Sequence, residues 1–233
     1  MPASRSSEAT LDLLDSRLNE WSILNHPFYQ AWQKGALTRQ DVALYASDYY
    51  HHIAAFPGHI CTLVDSAGDD VERDALRRNL HEEIDGDENH PELWLRFAEG
   101  AGAPRQEVAD ARAGAASAGL TAAFTAAVNS GCFAAGLAAL YAYERQMPAV
   151  SATKIDGLLR FYGVTDERAL QYFRVHRDLD VHHAAEVRAL LQRRIETGDD
   201  AGKAGDAAES VAVALWDLLT AIGTRCGVEG CAA

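Results

Sequence analysis

Carboxylates stand where leucines are expected on three apolar helix faces of this chain. Residues at alternating spacings of three and four share one face of a helix. One such stripe runs Leu76, Leu80, Glu83, Asp87, His90, Trp94 and Phe97. Another runs Phe133, Leu137, Leu140, Glu144 and Met147, and a third runs Tyr172, His176, Asp180, His183, Val187 and Leu190. A fourth, Tyr45, Tyr49, His52, Phe56 and His59, carries histidines but no acid. An unpaired carboxylate in an apolar interior is costly, so such groups are protonated, paired or bound to metal. One inward acid would suggest an arginine partner. Three helices repeating the pattern, two of them adding histidines, point to Glu83, His90, Glu144, His176, Asp180 and His183 as metal ligands.

The donor set indicates which metals. Carboxylates offer hard oxygens that can bridge two cations, and imidazoles suit iron and manganese. Zinc favours fewer ligands in a tetrahedron. Carboxylate–histidine sites in helix-bundle cores hold pairs of irons, although the paired Glu-x-x-His motifs of ferritin-like proteins are missing here. His176, Asp180 and His183, at i, i+4 and i+7, point one way. Glu83 and His90 lie two turns apart, ~10 Å along an ideal axis. They share a centre only if the chain bends or unwinds at Gly86; otherwise they serve different metals. Of the acids beside them, Glu82, Asp85 and Glu88 read as solvated, while Asp87 falls on the stripe. His182 points ~100° away from His183, and His51 and His81 are off-stripe. His52 and His59 read as hydrogen-bonded core histidines, and His26, before Pro27, as a cap or loop residue.

These residues need helices to carry them, and helical periodicity dominates the chain. The pattern predicts a short helix over 8–20 and a helix start at Pro27. A long helix follows, capped at Thr38 and running to Ser66. Further helices are expected over 70–99, 119–147, 150–162, 165–197 and 208–223. Seven or eight helices with short connections make an all-α bundle, read as a single domain over 1–233 with a mobile tail from about 224. GDDAGKAGDAAES reads as a polar linker. Of the 233 residues, 48% are hydrophobic and the formal charge is −13, which excludes nucleic acid as a partner because phosphate binding needs basic surface. No apolar stretch reaches the ~18 residues of a membrane span, and the N-terminal segment lacks the apolar core of a secretory signal. The expected location is cytoplasmic, with Cys61, Cys132, Cys226 and Cys231 as reduced thiols.

The strings NHPFYQAW, YASDYYHHIAAFP, NLHEEIDGDENHPELWLRFAEG, YAYERQMP and HRDLDVHH resemble the family of the chlamydial death-domain-associating protein, which are haem-oxygenase-like di-metal oxidases. The resemblance covers about residues 20–190 and all six inferred ligands. In fold it extends to pyrroloquinoline-quinone synthase and thiaminase II, which do not use this metal site. It implies a haem-oxygenase-like bundle, two metal ions (di-iron or mixed manganese–iron) and dioxygen as co-substrate. It also implies synthesis of para-aminobenzoate, a folate precursor, from a tyrosine of the chain itself. By the same resemblance Tyr29 matches the sacrificed tyrosine, Tyr45 and Tyr143 match aromatic positions near the site, and Lys154 matches an implicated amino donor. The alternative is a di-iron oxygenase of the same fold acting on an external small molecule. A homodimer is left open, and nothing in the sequence requires a death-domain-type partner.

Overall fold

The computed structural model describes residues 3–231, with side chains from Ser7 onward. The elements are α1 (Ala3–Glu20), a 3₁₀ turn (Ile23–Asn25), α2 (Pro27–Gln33), α3 (Arg39–Ser66), α4 (Asp70–Ile84), α5 (His90–Ala101), α6 (Arg105–Asp110), α7 (Ala115–Val128), α8 (Phe133–Glu144), α9 (Met147–Arg160), α10 (Glu167–Glu196) and α11 (Ala201–Arg225). No strand occurs among the described residues. The fold is all-α as expected, with more and shorter helices than periodicity alone suggests.

The additional breaks have local causes. The stretch 70–99, expected as one helix, splits into α4 and α5. Gly86 takes φ +69°, a conformation that costs other residues ~1–2 kcal/mol, and Asn89 caps α5 by accepting from the Glu92 amide at 3.0 Å. Pro91 sits in the first turn of α5, where its missing N–H costs nothing. The stretch 119–147 splits at the Asn129–Cys132 turn, so that α7 and α8 pack against each other. Pro148 starts α9 instead of ending α8. The expected linker is mostly helix. Asp200 caps α11 through the Lys203 amide at 3.1 Å, and Ala204 and Ala208 are buried. Small side chains gave that segment a polar look while letting it pack closely. Nor is the segment after 224 loose as expected. The Val228 amide donates to the Gly223 carbonyl at 2.8 Å, Thr224 Oγ1 donates to the Cys231 carbonyl at 2.6 Å, and Cys231 is buried. The four cysteines are free thiols. Contrary to the sequence reading, α11 is long and apolar enough to cross a membrane by length and composition. Its apolar face packs on α7 and α8, as a core helix does.

The long helices enclose one hydrophobic cluster. Helix α3 packs on α4, α5 and α7, while α10 packs on α5, α8 and α9. The stripes bearing acids therefore meet between α4, α5, α8 and α10. Glu72, fully buried, locks α4 to α10. Its Oε1 accepts from Arg193 Nη2 at 2.7 Å and Arg194 Nε at 2.6 Å, and its Oε2 accepts from Arg194 Nη2 at 2.6 Å and the Gly68 amide at 2.9 Å. Removing one partner of a buried ion pair costs ~3–5 kcal/mol, but both arginines are partly exposed and can rehydrate. Glu72→Ala is expected to lose about 2 kcal/mol in urea denaturation followed by circular dichroism. A loss below about 0.5 kcal/mol would mean the pair acts only as a surface contact.

Candidate metal centre and the adjoining aromatic pocket

Glu83, His90, Glu144, His176, Asp180 and His183 are all buried, between 2% and 5% exposed. The break at Gly86 decides how the first two meet. Glu83 lies in the last turn of α4, the chain unwinds over the five residues after Ile84, and His90 opens α5, so His90 Nδ1 lies 2.9 Å from Glu83 Oε2. The same unwinding turns Asp87 out to solvent, off the stripe where periodicity put it. His176 completes a trio with Glu83 and His90 in which one donor atom from each lies within 4.8 Å of the others. A second group forms beside it. His183 Nδ1 is 3.4 Å from Asp180 Oδ1, and both charges act on Glu144, as does that of Glu83.

Several donor atoms are aimed at no protein partner. His90 Nδ1 approaches Glu83 without the geometry of a hydrogen bond, and Glu144 Oε2 and Asp180 Oδ2 are buried with no donor. Such groups call for a cation or ordered water. His176 Nδ1 is 2.7 Å from the Tyr172 carbonyl; donating there leaves Nε2 with its lone pair for a metal. Glu83, His90 and His176 can hold one cation, and Glu144 and Asp180 leave buried oxygens unpartnered in the second group. Electrostatics agree. Burial lifts Glu144 to about 8, aided by Asp180, and lifts Asp180 to about 6. Burial opposes protonation of His183, but Asp180, Glu144 and Glu82 outweigh it and raise the imidazole to about 9. Burial holds His176 neutral. Protons thus hold the cluster together where cations could.

Sequence reasoning missed two supporting groups. Asn79 Nδ2 donates to Glu144 Oε1 at 2.7 Å; it sits four residues before Glu83 on the same face, a spacing that could have found it. Glu82, read as solvated, reaches His183 Nε2 at 2.9 Å from the last turn of α4. No periodic signal marks it. His26 caps α2, accepting from the Phe28 amide at 3.0 Å. His52 and His59 are core residues, but not through hydrogen bonds. Both nitrogens of His52 and Nε2 of His59 lack partners, and both rings stack on Phe124 at 5.3 and 5.2 Å.

The residues implied by resemblance form an adjoining pocket. Tyr29, on α2, and Tyr45, on α3, are fully buried, with hydroxyls 3.4 Å apart. Lys154, on α9, is buried too, and its Nζ is hydrogen-bonded to the Tyr45 hydroxyl. That nitrogen lies 4.7 Å from the ring centre of Tyr45, 5.2 Å from Tyr49, 5.4 Å from Trp94 and 5.6 Å from Tyr29. Among the described residues no carboxylate pairs with it, and burial pushes its pKa well below the usual lysine value. Burial also raises Tyr29 and Tyr45 well above the usual phenol value. Burial therefore disfavours the charged form of the amine and of both phenols in this cluster. Gly157 shapes it, because a methyl group there would overlap the Trp32 indole. Tyr143 packs instead beside His52, with ring centres 4.6 Å apart, next in sequence to the candidate ligand Glu144.

A family model described as "Iron-containing redox enzyme" of the haem-oxygenase type matches residues 43–216. The chain is 37% identical over 210 residues to a protein named 4-aminobenzoate synthase of Chlamydia muridarum, covering 90% of this chain and 88% of that one. It is 34% identical to a protein of the same name from Nitrosomonas europaea, covering 90% and 89%. Among solved structures, a TenA homologue from Pseudomonas syringae matches with TM-score 0.78 and 17% identity over 94% of this chain and 92% of that one. A CADD-like protein from Nostoc punctiforme matches with TM-score 0.76 and 16% identity, over 95% and 99%. The fold is thus haem-oxygenase-like.

Glu144 and His183 hold protons at pH 7, given values of about 8 and about 9, and metal binding must displace them. Loading metal-free protein with ferrous or manganous ion at pH 7 is expected to release about two protons per chain, and affinity should rise with pH through that range. Calorimetry in buffers of different ionisation enthalpy measures this; heats independent of buffer would contradict it. The sign for stability follows. The folded state holds these protons more tightly than the unfolded chain, so the metal-free fold loses stability as pH rises through those values.

Proposed function

The chain belongs to the family of iron-containing redox enzymes, and on that footing we propose that it is an oxygen-dependent di-metal oxidase that makes para-aminobenzoate from its own Tyr29. The observation that carries this reading is the sealed pocket in which Tyr29 and Lys154 meet beside the ligand helices. Tyr29, Tyr45 and Lys154 are each at most 2% exposed, so an external aromatic substrate would have to displace core side chains. The names of the relatives over most of their length support the same product.

Glu83, His90 and His176 would hold one cation, and Glu144, Asp180 and His183 the other. Bound there, the metals supply the oxidising power of dioxygen. The chain's own residues set the rest. His176 keeps one tautomer through the Tyr172 carbonyl, and Asn79 and Glu82 orient Glu144 and His183. Phe28, Trp32 and Tyr45 fix the Tyr29 ring and exclude water from it. Burial disfavours the ammonium form of Lys154, which favours a free nitrogen lone pair beside the phenol pair; a protonated amine could not act as nucleophile. The product has a carboxyl carbon and an amine para to each other. A tyrosine ring with its Cβ supplies that skeleton once the Cα–Cβ bond breaks and nitrogen takes the place of the phenolic oxygen.

Tyr29→Phe is expected to abolish product while sparing metal binding, because only the oxidisable hydroxyl is lost. Lys154→Arg removes the primary amine, and a guanidinium does not give up its proton; it too should yield no product. Tyrosine labelled during expression should appear in the product ring, whereas labelled tyrosine added afterwards should not. The spent chain should carry a glycine-like residue at position 29 by peptide mass. Many turnovers with an added substrate, or full activity in Tyr29→Phe, would favour the external-substrate oxygenase.

A further inference from the structure

One face of α3 carries Tyr45, Tyr49, His52, Phe56 and His59, and its histidines have no part in the candidate metal centre. Two turns apart, ~10 Å on an unbroken helix, the two imidazoles cannot share a cation. Both stack on Phe124, with ring centres 5.3 and 5.2 Å away. Phenylalanine at either position would fill the same space and leave no polar atom bare. Instead both nitrogens of the fully buried His52 and Nε2 of His59 have no partner in the protein. Such groups call for ordered water. Between them, Pro57 lacks the N–H that would bond the Ile53 carbonyl, which adds an acceptor on the same stretch. The Tyr49 hydroxyl, one turn further along the face, has no well-formed hydrogen bond either, although Tyr143 acts on it.

This row of groups joins the sealed pocket to solvent. At the inner end, Lys154 Nζ is hydrogen-bonded to the Tyr45 hydroxyl and lies 5.2 Å from the Tyr49 ring centre. The Tyr49 ring is 5.5 Å from that of His52, and the charges of Lys154 and His59 both act on His52. At the outer end, His59 touches solvent, 6% exposed where His52 is not exposed at all. We propose that His52 and His59 form a proton outlet along α3, from Lys154 to the surface. The inference rests on the reading that the pocket of Tyr29, Tyr45 and Lys154 reacts, and it gives that enclosed pocket a way to exchange protons with solvent.

The step moves a proton and no electron. Lys154 Nζ takes the proton of the Tyr45 hydroxyl and passes one to water beside Tyr49. That water protonates the bare nitrogen of His52, while the N–H across the ring gives its proton to water leading to His59. His59 repeats the exchange, and its proton enters solvent. Each imidazole ends neutral with its hydrogen on the opposite nitrogen, and the net change is one proton moved from Tyr45 to bulk water. A neutral imidazole suits this, being a donor at one nitrogen and an acceptor at the other. Burial favours that form at both positions, pushing His52 down to about 3 and lowering His59, so neither ring traps the proton. Around His52 stand Tyr49 and Phe56 on α3, Phe124 on α7 and Tyr143 on α8, and none of these is a carboxylate that would hold it.

The test reads proton movement without the reaction. Zinc-loaded protein carrying tyrosine with heavy carbon at Cζ is placed in equal parts of light and heavy water. A Tyr45 hydroxyl that exchanges slowly then gives two carbon resonances, and one that exchanges fast gives a single averaged line. The unaltered protein should show fast exchange. His52→Phe keeps the stack on Phe124 and should slow that exchange at least about tenfold, as should His59→Phe, while the backbone amides of α3 keep their exchange rates. Both variants should melt no lower than the unaltered protein, because the unpartnered nitrogens are gone. Exchange at Tyr45 that stays within about twofold of normal in both variants overturns the outlet. Equal slowing of the α3 amides overturns it too, since the hydroxyl would then be exchanging through opening of the fold. Slowing in His52→Phe alone overturns the passage past His59. If His52→Phe fails to fold, His59→Phe decides. Slowed exchange in the variants, with no labelled product from the iron-loaded unaltered protein, overturns the tyrosine-consuming reading and leaves the outlet standing.

Discussion

Three carboxylates and three imidazoles lie in an interior that is mostly aromatic and aliphatic, and that juxtaposition governs the molecule. Burial strips each group of water, and the carboxylates repel one another. The apolar core on either side is what gives the cluster its rigidity, and the cluster in turn gives the core a demand for positive charge. Glu72, clamped by Arg193 and Arg194, meets the same demand with protein cations at the other end of α4. At the candidate metal centre no arginine or lysine forms an ion pair with these carboxylates among the described residues, and the task falls to protons or metals.

The helices convert this electrostatic demand into geometry. Rigid α10 aligns His176, Asp180 and His183 by spacing alone. The α4–α5 segment does so by failing to remain a helix, since an unbroken one would hold Glu83 and His90 about two turns apart. One glycine in the left-handed region folds two turns into a single corner. The candidate metal centre is therefore built on unbroken helix on its α10 side and on a broken one on its α4–α5 side, where residues 84–88 are exposed.

Much of this was legible in the sequence because burial leaves a periodic trace. Acids interrupting apolar stripes identified the six residues that the fold brings together, and Thr38 with Asp41 marked the start of α3. Other features leave no such trace. Alanine and glycine in 200–210 are silent about whether they pack or link, so the first turns of α11 were read as a linker. Glu82 joins the site from off the stripe because α4 ends there. Asp87 left its stripe for the same reason. Neither periodicity nor composition could tell that Tyr29 meets Tyr45, or that Lys154 has no acid partner among the described residues. Both are facts about distant segments meeting in space.

The seven-residue α2 is fastened by single contacts, His26 to Thr220 at 3.0 Å and Tyr162 to the Trp32 carbonyl at 2.9 Å, while its Tyr29 ring is wholly enclosed. If that ring is consumed, its space becomes a void. Emptying a buried aromatic site costs ~3–5 kcal/mol, against a total folding stability of ~5–15 kcal/mol for a typical domain. The spent chain would then differ from a fresh one not only in chemistry but in lifetime. Opening more often, it would meet cellular proteases first, so a reaction that exhausted the molecule would also mark it for clearance.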